Sequence, residues 1–197
     1  MTDFLKLRKS APDGFFAAEA AGLRWLAEPG VVPVVDVIEH GADFLQLRRL
    51  EEVGPSAEAA AAFGRDLARL HDAGAPGFGW SPAPQSFFGP LDNPFEVPAE
   101  SVGDFTDYWA EQRLRPLVTA VAGDLTGEDR ATVASAIDAI ASGVFAGICG
   151  EDEEAPARVH GDLWAGNLMW TPDGVTLIDP AAHGGHRLED QIGRAHV

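Results

Sequence analysis

The chain has 197 residues, of which 46% are hydrophobic, and its formal net charge at pH 7 is −17. This length and apolar content suffice for a real core, in one modest domain or two small lobes. The acidic balance argues against nucleic acid or an anionic membrane as a partner, and no apolar run is long enough to cross a bilayer. Cys149 is the single cysteine, which excludes an intrachain disulfide and makes a reducing cytoplasm the expected location.

The first fifty residues predict a short strand, a helix and two further strands. The first strand covers residues 4–7, and the helix covers 16–26, with Asp13 as its expected cap. The next two strands are expected over 31–38 and 44–50, because apolar residues dominate both runs and a tight turn separates them.

The middle of the chain is predicted to be helical. Ser56 is the expected cap of a helix over 57–73, in which apolar residues recur at helical spacing. Residues 75–98 are rich in Gly, Pro and aromatic side chains, which predicts a packed surface loop that either helps shape a ligand cleft or only covers the core. Two further helices are expected, over 105–121 and 130–148.

The caps of these last two helices can also be predicted. Asp104 is expected to cap the first of them. Thr126 and Asp129 form a pattern like a capping box ahead of the second.

The most informative stretch is VHGDLWAGN at 159–167, followed by VTLIDP at 175–180. Its polar fixtures are Asp162, Asn167 and Asp179. The Pro-Asp-Gly sequence at 172–174 predicts a hairpin turn that brings Asn167 and Asp179 together. Asp162 and Asn167 are spaced as the Asp and the metal-binding Asn are in the catalytic loop of kinases.

Phosphoryl transfer needs such a set of side chains. One carboxylate orients or deprotonates the attacking hydroxyl, here Asp162, and oxygen ligands hold Mg²⁺ against the nucleotide phosphates, here Asn167 and Asp179. Any one of these residues alone is more simply explained as part of a turn or as a cap at the end of a strand. Their order, with a hairpin between them, favours the kinase interpretation.

The wording HGDLWAGN, then IDPAAHGGHR, resembles the fructosamine kinase (ketosamine-3-kinase) family, within the aminoglycoside-phosphotransferase and protein-kinase-like fold. The resemblance implies an α+β, two-lobed fold. Residues 1–50 would be the remnant of a small β lobe, and residues 51–190 a mostly helical large lobe. No glycine-rich hairpin precedes Lys6, and residues 191–197 are expected to be a non-native tail, so the chain is expected to be truncated at both ends.

The same resemblance implies roles for residues in the first fifty. Lys6 would contact the nucleotide phosphates and Glu19 would pair with it. The adenine would bond to backbone groups near Leu47, Arg48 and Leu50, and the Arg48 side chain is expected to be exposed. The implied cofactors are ATP and Mg²⁺.

The function implied is ATP-dependent phosphorylation of the sugar 3-hydroxyl of a ketoamine (fructosamine or ribulosamine), free or on a glycated protein, and hence deglycation. Two alternatives stay open. One is a kinase of the same fold for an aminoglycoside or choline-like acceptor. The other is a non-catalytic fragment, because without the glycine-rich hairpin this chain is expected to show weak turnover or none.

Overall fold

The computed structural model describes residues 3–89, 92–144 and 155–191, which form a mixed arrangement of short strands and helices. The strands, in chain order, are β1 (Phe4–Leu7), β2 (Val37–His40), β3 (Phe44–Leu47), β4 (Ser86–Phe88), β5 (Phe95–Val97), β6 (Ala157–Val159), β7 (Leu168–Thr171), β8 (Gly174–Leu177) and β9 (His183–Gly185). The α-helices are α1 (Phe15–Ala27), α2 (Ala57–Asp72), α3 (Phe105–Asp107), α4 (Arg115–Ala120) and α5 (Gly127–Ala141). A π-helical segment, Tyr108–Leu114, joins α3 to α4, so the predicted helix over 105–121 is one continuous helical stretch.

The first three strands form an antiparallel sheet in the order β1-β3-β2. Lys6 lies opposite Leu45 in the β1–β3 register. Because side chains alternate across a strand, the register fixes which face of the sheet Lys6 occupies. Leu45 and Leu47 of β3 are buried against α1, so the sheet and the helix form one packed unit.

The strand predicted over 31–38 is wrong over most of its length, since β2 begins only at Val37. Pro33 lacks a backbone N–H, which interrupts ladder pairing. The segment pairs elsewhere instead: Val34 forms an isolated bridge with Leu177, and the N–H of Leu177 donates to the Pro33 carbonyl at 2.9 Å. Residues 31–36 thus join the N-terminal sheet to the later hairpin.

The expected cap of α1 is also wrong. The helix begins after Gly14, whose φ of 81° is left-handed, and no side chain caps it, although Asp13 stands one residue earlier. A Cβ at residue 14 would lie 2.2 Å from Gln85 Oε1, and the backbone φ at this position is left-handed. Glycine suits this position for both reasons.

The other three predicted caps are confirmed. The Ser56 hydroxyl accepts from Ala59 N–H at the start of α2, and Asp104 accepts from Asp107 N–H at the start of α3. Thr126 and Asp129 form a complete capping box. That helix covers Gly127–Ala141, so it begins before the expected residue 130 and ends before the expected residue 148. Residues 145–148 of the expected range lie outside the described residues.

Helix α1 lies between two apolar clusters. Phe16, Ala20 and Leu23 pack toward β3, whereas Trp25 and Leu26 pack against α2 and β8. Such burial of large apolar side chains is the main stabilising term of folding. One helix therefore holds the N-terminal sheet and the later hairpin in fixed relation.

The hairpin predicted at 172–174 is confirmed. β7 pairs with β8 in antiparallel register, from Leu168 opposite Leu177 to Thr171 opposite Gly174. Asn167 and Asp179 flank the two strands at the same end. Within the three described ranges, no helix is long and apolar enough to cross a membrane.

Candidate active site

Five of the residues predicted for the site line one cavity of about 340 Å³. The five are Lys6, Glu19, Asp162, Asn167 and Asp179. They come from β1, from α1 and from both sides of the β7–β8 hairpin, so long-range packing assembles the site. A larger, open depression of about 740 Å³, lined by residues within 81–84 and 96–100, contains none of the five.

Asp162 and Asn167 are joined directly. Asn167 Nδ2 donates to the Asp162 carboxylate at 2.9 Å and to the Asp162 carbonyl at 2.8 Å. A third, longer contact of 3.4 Å reaches the Asp179 carbonyl. Among the described residues, Asn167 Oδ1 accepts no hydrogen bond, so the side chain retains an oxygen for a ligand.

Lys6 is held between two carboxylates. Its Nζ lies 2.8 Å from Glu19 Oε1 and 3.0 Å from Asp179 Oδ1. The Lys6 and Glu19 side chains are 15% and 9% exposed, whereas the Asp179 side chain is 44% exposed. Lys6 and Glu19 therefore form a partly buried pair, and Asp179 joins it from the open side of the cavity.

Charge and burial oppose each other in this group. Burial alone lowers the pKa of Lys6, but attraction to Glu19 and Asp179 outweighs it, so the pKa of Lys6 is raised. Burial raises the pKa of Glu19 more than the neighbouring ammonium lowers it. Lys6 is thus kept protonated, whereas burial makes the ionised form of Glu19 less favourable than it is in water.

His160 lies behind the loop that carries Asp162 and Asn167, and it is fully buried. Burial, as the largest effect, lowers the pKa of His160, so its imidazole is neutral. The hydrogen bonds fit one neutral tautomer: Nε2 donates to the Ile178 carbonyl at 2.9 Å, and Nδ1 accepts from Asp162 N–H at 3.3 Å. The ring thereby connects the backbone of Asp162 to the residue before Asp179.

Asp179 has a φ of 54°, one of two positive values for non-glycine residues among those described. This left-handed conformation is uncommon for a residue with a Cβ, although Asp tolerates it better than most. Such residues cluster at active sites, where the surrounding structure enforces them. Here it turns the chain sharply after β8.

The residues predicted for the adenine do not line this cavity. Leu47 is buried in β3, and Leu50 packs against the same cluster. The Arg48 side chain is exposed, 3.7 Å from Asp36, and its backbone N–H already donates to the Asp36 carbonyl at 2.9 Å. That N–H is therefore engaged within the fold. Adenine binding by the backbone of this segment stays a prediction.

An aromatic wall lines the cavity, and part of it comes from the loop over 75–98 that was expected to help shape a cleft. Phe15 on α1, Phe87 and Phe88 on β4, and Trp164 after Asp162 all line it. Phe15 and Phe87 meet edge to face at 5.3 Å. The sequence did not predict that Phe15 joins this loop, since the contact between positions 15 and 87 depends on tertiary packing.

Trp164 is 50% exposed, and its indole lies over Gly166. A Cβ at residue 166 would lie 2.3 Å from the indole, so glycine leaves room for the ring. In the sequence Trp-Ala-Gly-Asn, the glycine is thus required sterically by the indole, and the asparagine supplies the polar group.

A comparison with protein-family models matches almost the whole chain. The family model described as fructosamine kinase matches residues 2–193. The chain belongs to the fructosamine kinase family.

Individual relatives carry kinase names. A protein named "probable ketoamine kinase" in Thermus thermophilus is 32% identical over 187 residues, covering 94% of this chain and 63% of the relative. Another of that name in Escherichia coli K12 is 31% identical over 180 residues, covering 87% of this chain and 57% of the relative. The chain therefore spans about three fifths of the length of these relatives.

Solved structures show the same fold. A Thermobifida fusca protein, provisionally named fructosamine-3-kinase, superposes with a TM-score of 0.79 at 39% identity, covering 95% of this chain and 63% of that one. A Haemophilus somnus structure reaches the same TM-score at 21% identity, with coverages of 95% and 61%, and supports the fold alone. The predicted α+β class is thus confirmed as a mixed helix and strand fold of the fructosamine kinase kind.

Proposed function

We propose that this cavity is the phosphoryl-transfer site of an ATP-dependent kinase that acts on a sugar hydroxyl of a ketoamine. The observation that supports this best is the convergence of Asp162, Asn167, Asp179 and Lys6 on one cavity. Phosphoryl transfer is catalysed mainly by positioning and by neutralising charge. A cavity that gathers one ammonium, one amide and several carboxylates supplies both.

Asp162 is proposed to accept the proton of the acceptor hydroxyl. Its carboxylate lines the cavity and is held by Asn167 Nδ2, so its direction is fixed before substrate arrives. A base in this role needs contact geometry more than a raised pKa, because the developing charge is met elsewhere. The hydroxyl oxygen bonds to the γ-phosphorus, the bond from phosphorus to the β-phosphate oxygen breaks, and ADP leaves.

The side chains also suit Mg²⁺. Asn167 keeps Oδ1 for a ligand, and the Asp179 carboxylate is half exposed beside it, which matches the oxygen donors that Mg²⁺ prefers. When bound, Mg²⁺ neutralises charge on the phosphates. Lys6, fixed by Glu19, is proposed to contact those phosphates directly.

We also propose the lobe division that the sequence predicted. Residues 1–50 would be part of the small lobe and residues 51–190 the large one, with the cavity between them. The backbone near Leu47 and Leu50 would then meet the adenine. Support comes from the cavity itself, since it is lined by Lys6 and Glu19 and also by residues that flank the β7–β8 hairpin, such as Asn167 and Asp179.

The acceptor is proposed to be a ketoamine because relatives of this chain are named ketoamine kinases. Transfer to the 3-hydroxyl of the sugar, and a role in deglycation, are the finer forms of this proposal. The aromatic wall of Phe15, Phe87, Phe88 and Trp164 would face the sugar and its amine substituent.

The test is ATP consumption with a synthetic fructosamine, followed for this chain and for the protein extended to the length of its relatives. Asp162→Asn is the test variant, and Asp173→Asn, in the exposed hairpin turn, is the matched control. For this chain we expect weak turnover or none, and for the extended protein we expect turnover that is lost in Asp162→Asn and kept in Asp173→Asn. Turnover only with an aminoglycoside or a choline-like alcohol would refute the ketoamine. No turnover with any acceptor in either protein would refute the kinase proposal.

A further inference from the structure

A small polar pocket borders the aromatic wall of the cavity. The space that a water-sized sphere can occupy in it is about 10 Å³, which is about what a single water molecule needs. Its polar lining includes Ser86, Tyr108, Gln112 and Arg113. Among the described residues, Ser86 is the one that lines both this pocket and the cavity of the candidate active site, so it forms the partition between them.

Three of these side chains come from the π-helical segment Tyr108–Leu114. Because a π-helix bonds each residue to the fifth one along, side chains four and five positions apart lie on the same side of it. Tyr108, Gln112 and Arg113 have this spacing and face one pocket. Short π-helical segments are frequent at functional sites, which makes this pocket a candidate for one.

Two buried polar atoms of the pocket have no hydrogen-bond partner within the described part of the chain. They are the Tyr108 hydroxyl and Gln112 Oε1, and Tyr108 is 3% exposed. Burial raises the pKa of Tyr108, and the Glu189 carboxylate raises it further against the smaller opposing effect of Arg113. The phenol therefore keeps its proton and is a donor. Buried polar groups are costly to leave unpaired, so the two atoms indicate a polar ligand between them.

Arg113 places a cation beside the same pocket. It is 7% exposed, and its guanidinium carbon lies 4.2 Å from the centre of the Phe88 ring. Among the described residues, no carboxylate lies within ion-pair distance of Arg113. The aromatic face stabilises the charge but accepts none of the in-plane N–H bonds. These N–H groups are thus donors for a ligand in the pocket.

Gly79 keeps the pocket open. Its φ is 76°, and a Cβ there would lie 2.4 Å from Gln112 Oε1 and 2.9 Å from Tyr108 Cδ2. A side chain at residue 79 would therefore displace the two groups that carry the unpaired atoms. The pocket depends on glycine at this position, both for space and for the left-handed backbone.

A water molecule meets the requirements of all four side chains. It can accept from the Tyr108 hydroxyl and from Arg113, and it can donate to Gln112 Oε1. Its second hydrogen can be donated to Ser86, whose hydroxyl has no partner among the described residues and which is 8% exposed. A serine hydroxyl that accepts from a water on one side directs its own proton to the other side, which here is the cavity.

We propose that the small pocket binds one water molecule, which directs the Ser86 hydroxyl into the cavity to donate to an oxygen of the acceptor sugar. Ser86 is then a specificity-determining residue, and Tyr108 and Gln112 are positioning residues that act through the water. The contact with the acceptor rests on the proposed function, because it assumes that the acceptor binds in this cavity. The water site itself does not depend on that function.

The first experiment asks whether the water is bound and needs no activity. Crystal structures and thermal unfolding are compared for this chain and for Tyr108→Phe. We expect one ordered water within hydrogen-bond distance of Tyr108 and Gln112 in the wild type, and a lower Tm in Tyr108→Phe because a paired hydroxyl is lost. Removal of an unpaired hydroxyl has the opposite effect and raises the Tm. A dry pocket or a raised Tm would overturn the proposal.

The second experiment tests the contact between Ser86 and the acceptor, in the protein extended to the length of its relatives. Ser86→Ala is compared with Ser142→Ala, which removes an exposed hydroxyl at the end of α5. We expect Ser86→Ala to raise the KM for a synthetic fructosamine about fivefold, with kcat and the KM for ATP little changed, because one neutral hydrogen bond to the substrate is lost. Ser142→Ala should match the wild type. An unchanged KM for fructosamine in Ser86→Ala would refute the contact.

A double variant tests whether the water acts through Ser86. Tyr108→Phe should raise the KM for fructosamine about threefold in the wild-type background and leave it unchanged in the Ser86→Ala background. Additive effects of the two substitutions would overturn the role of the water. If the extended wild type turns over no acceptor, the proposed function fails and the contact with the acceptor fails with it. The water site is then decided by the crystal structures and the thermal unfolding.

Discussion

Two carboxylates near the cavity are held in opposite ways. Asp190 is fully buried and accepts from two backbone N–H groups and one core histidine. Asp179 is half exposed, and its carboxylate is held by the Lys6 side chain. Donors that are fixed in the fold hold the Asp190 carboxylate in one position. The flexible Lys6 side chain can release the exposed Asp179 carboxylate at a small cost in free energy. The loop around Asp162 is thus held more firmly than Asp179. On the proposed function, Asp179 is expected to exchange Lys6 for a metal ion.

The largest expected effect is at Gly161, in the fixed region. Gly161→Ala places a Cβ 2.2 Å from the Ala181 carbonyl oxygen at a left-handed φ of 81°. Neither backbone can yield easily, so the free energy of unfolding should fall by about 3 kcal/mol or more. Urea unfolding measures this loss.

Gly64→Ala is the matched control. It lies in α2 with no atom near its Cβ position, and should raise the stability by up to about 1 kcal/mol. Equal effects at both positions would contradict the fixed-loop account.

The next effect is at Lys6. Lys6→Met leaves Glu19, whose side chain is 9% exposed, without its ammonium partner. Breaking a partly buried pair in this way should cost about 3 kcal/mol, and removing the second charge in Lys6→Met/Glu19→Gln should recover part of it. Chemical denaturation of the single and double variants measures the coupling. A double variant less stable than the single one would show that the pair is not the cause.

A smaller effect is expected on the stability at acid pH, through the Asp190 carboxyl. Burial alone would raise the pKa of Asp190, but hydrogen bonds from His71 and from the backbone of Gly161 and His160 hold it below its ordinary 3.8. Its folded-state pKa is depressed, so the stabilisation is present above pH of about 4 and is lost as pH falls through the folded pKa.

Stability measured from pH 5 to 2 should therefore fall less steeply in Asp190→Asn than in the wild type. Parallel pH profiles would show that Asp190 titrates with the same pKa in the folded and unfolded chains.

The smallest effect is expected at Asp179. Asp179→Asn removes one ion pair to a carboxylate that is 44% exposed, while Asn tolerates the φ of 54°. Stability should change by less than about 1 kcal/mol, in contrast to Gly161→Ala. If thermal unfolding showed that Asp179→Asn loses as much stability as Gly161→Ala, the distinction between fixed and exchangeable regions would be wrong.

The sequence predicts the features that depend only on neighbouring residues, such as turns and helix caps. The turn at 172–174, the Ser56 cap and the capping box of Thr126 and Asp129 each depend on residues within a few positions. The predicted bounds of the helices agree with the observed bounds to within a few residues at most of the helix ends. The motif and the family resemblance predict eight site residues, of which the fold brings five to one cavity. Leu47, Arg48 and Leu50 are not among them, and the roles of all eight remain proposals.

What sequence missed depends on distant partners. Residues 31–36 bond to Leu177 rather than continuing as a strand, because Pro33 cannot extend the ladder and the hairpin offers another partner. Asp190 contacts His71 and His160, at separations of 119 and 30 residues. No periodicity or motif in one sequence encodes such pairings.

The most direct test of the central claim is calorimetric binding of a non-hydrolysable ATP analogue to this chain, with and without Mg²⁺, for the wild type, Asp179→Asn and Asp173→Asn. The account predicts binding that requires Mg²⁺ in the wild type and in Asp173→Asn, and that is at least about tenfold weaker in Asp179→Asn, since one charge-assisted contact is worth about that much. Binding that ignores Mg²⁺, or that is unchanged in Asp179→Asn, would contradict the claim that Asp179 exchanges Lys6 for the metal.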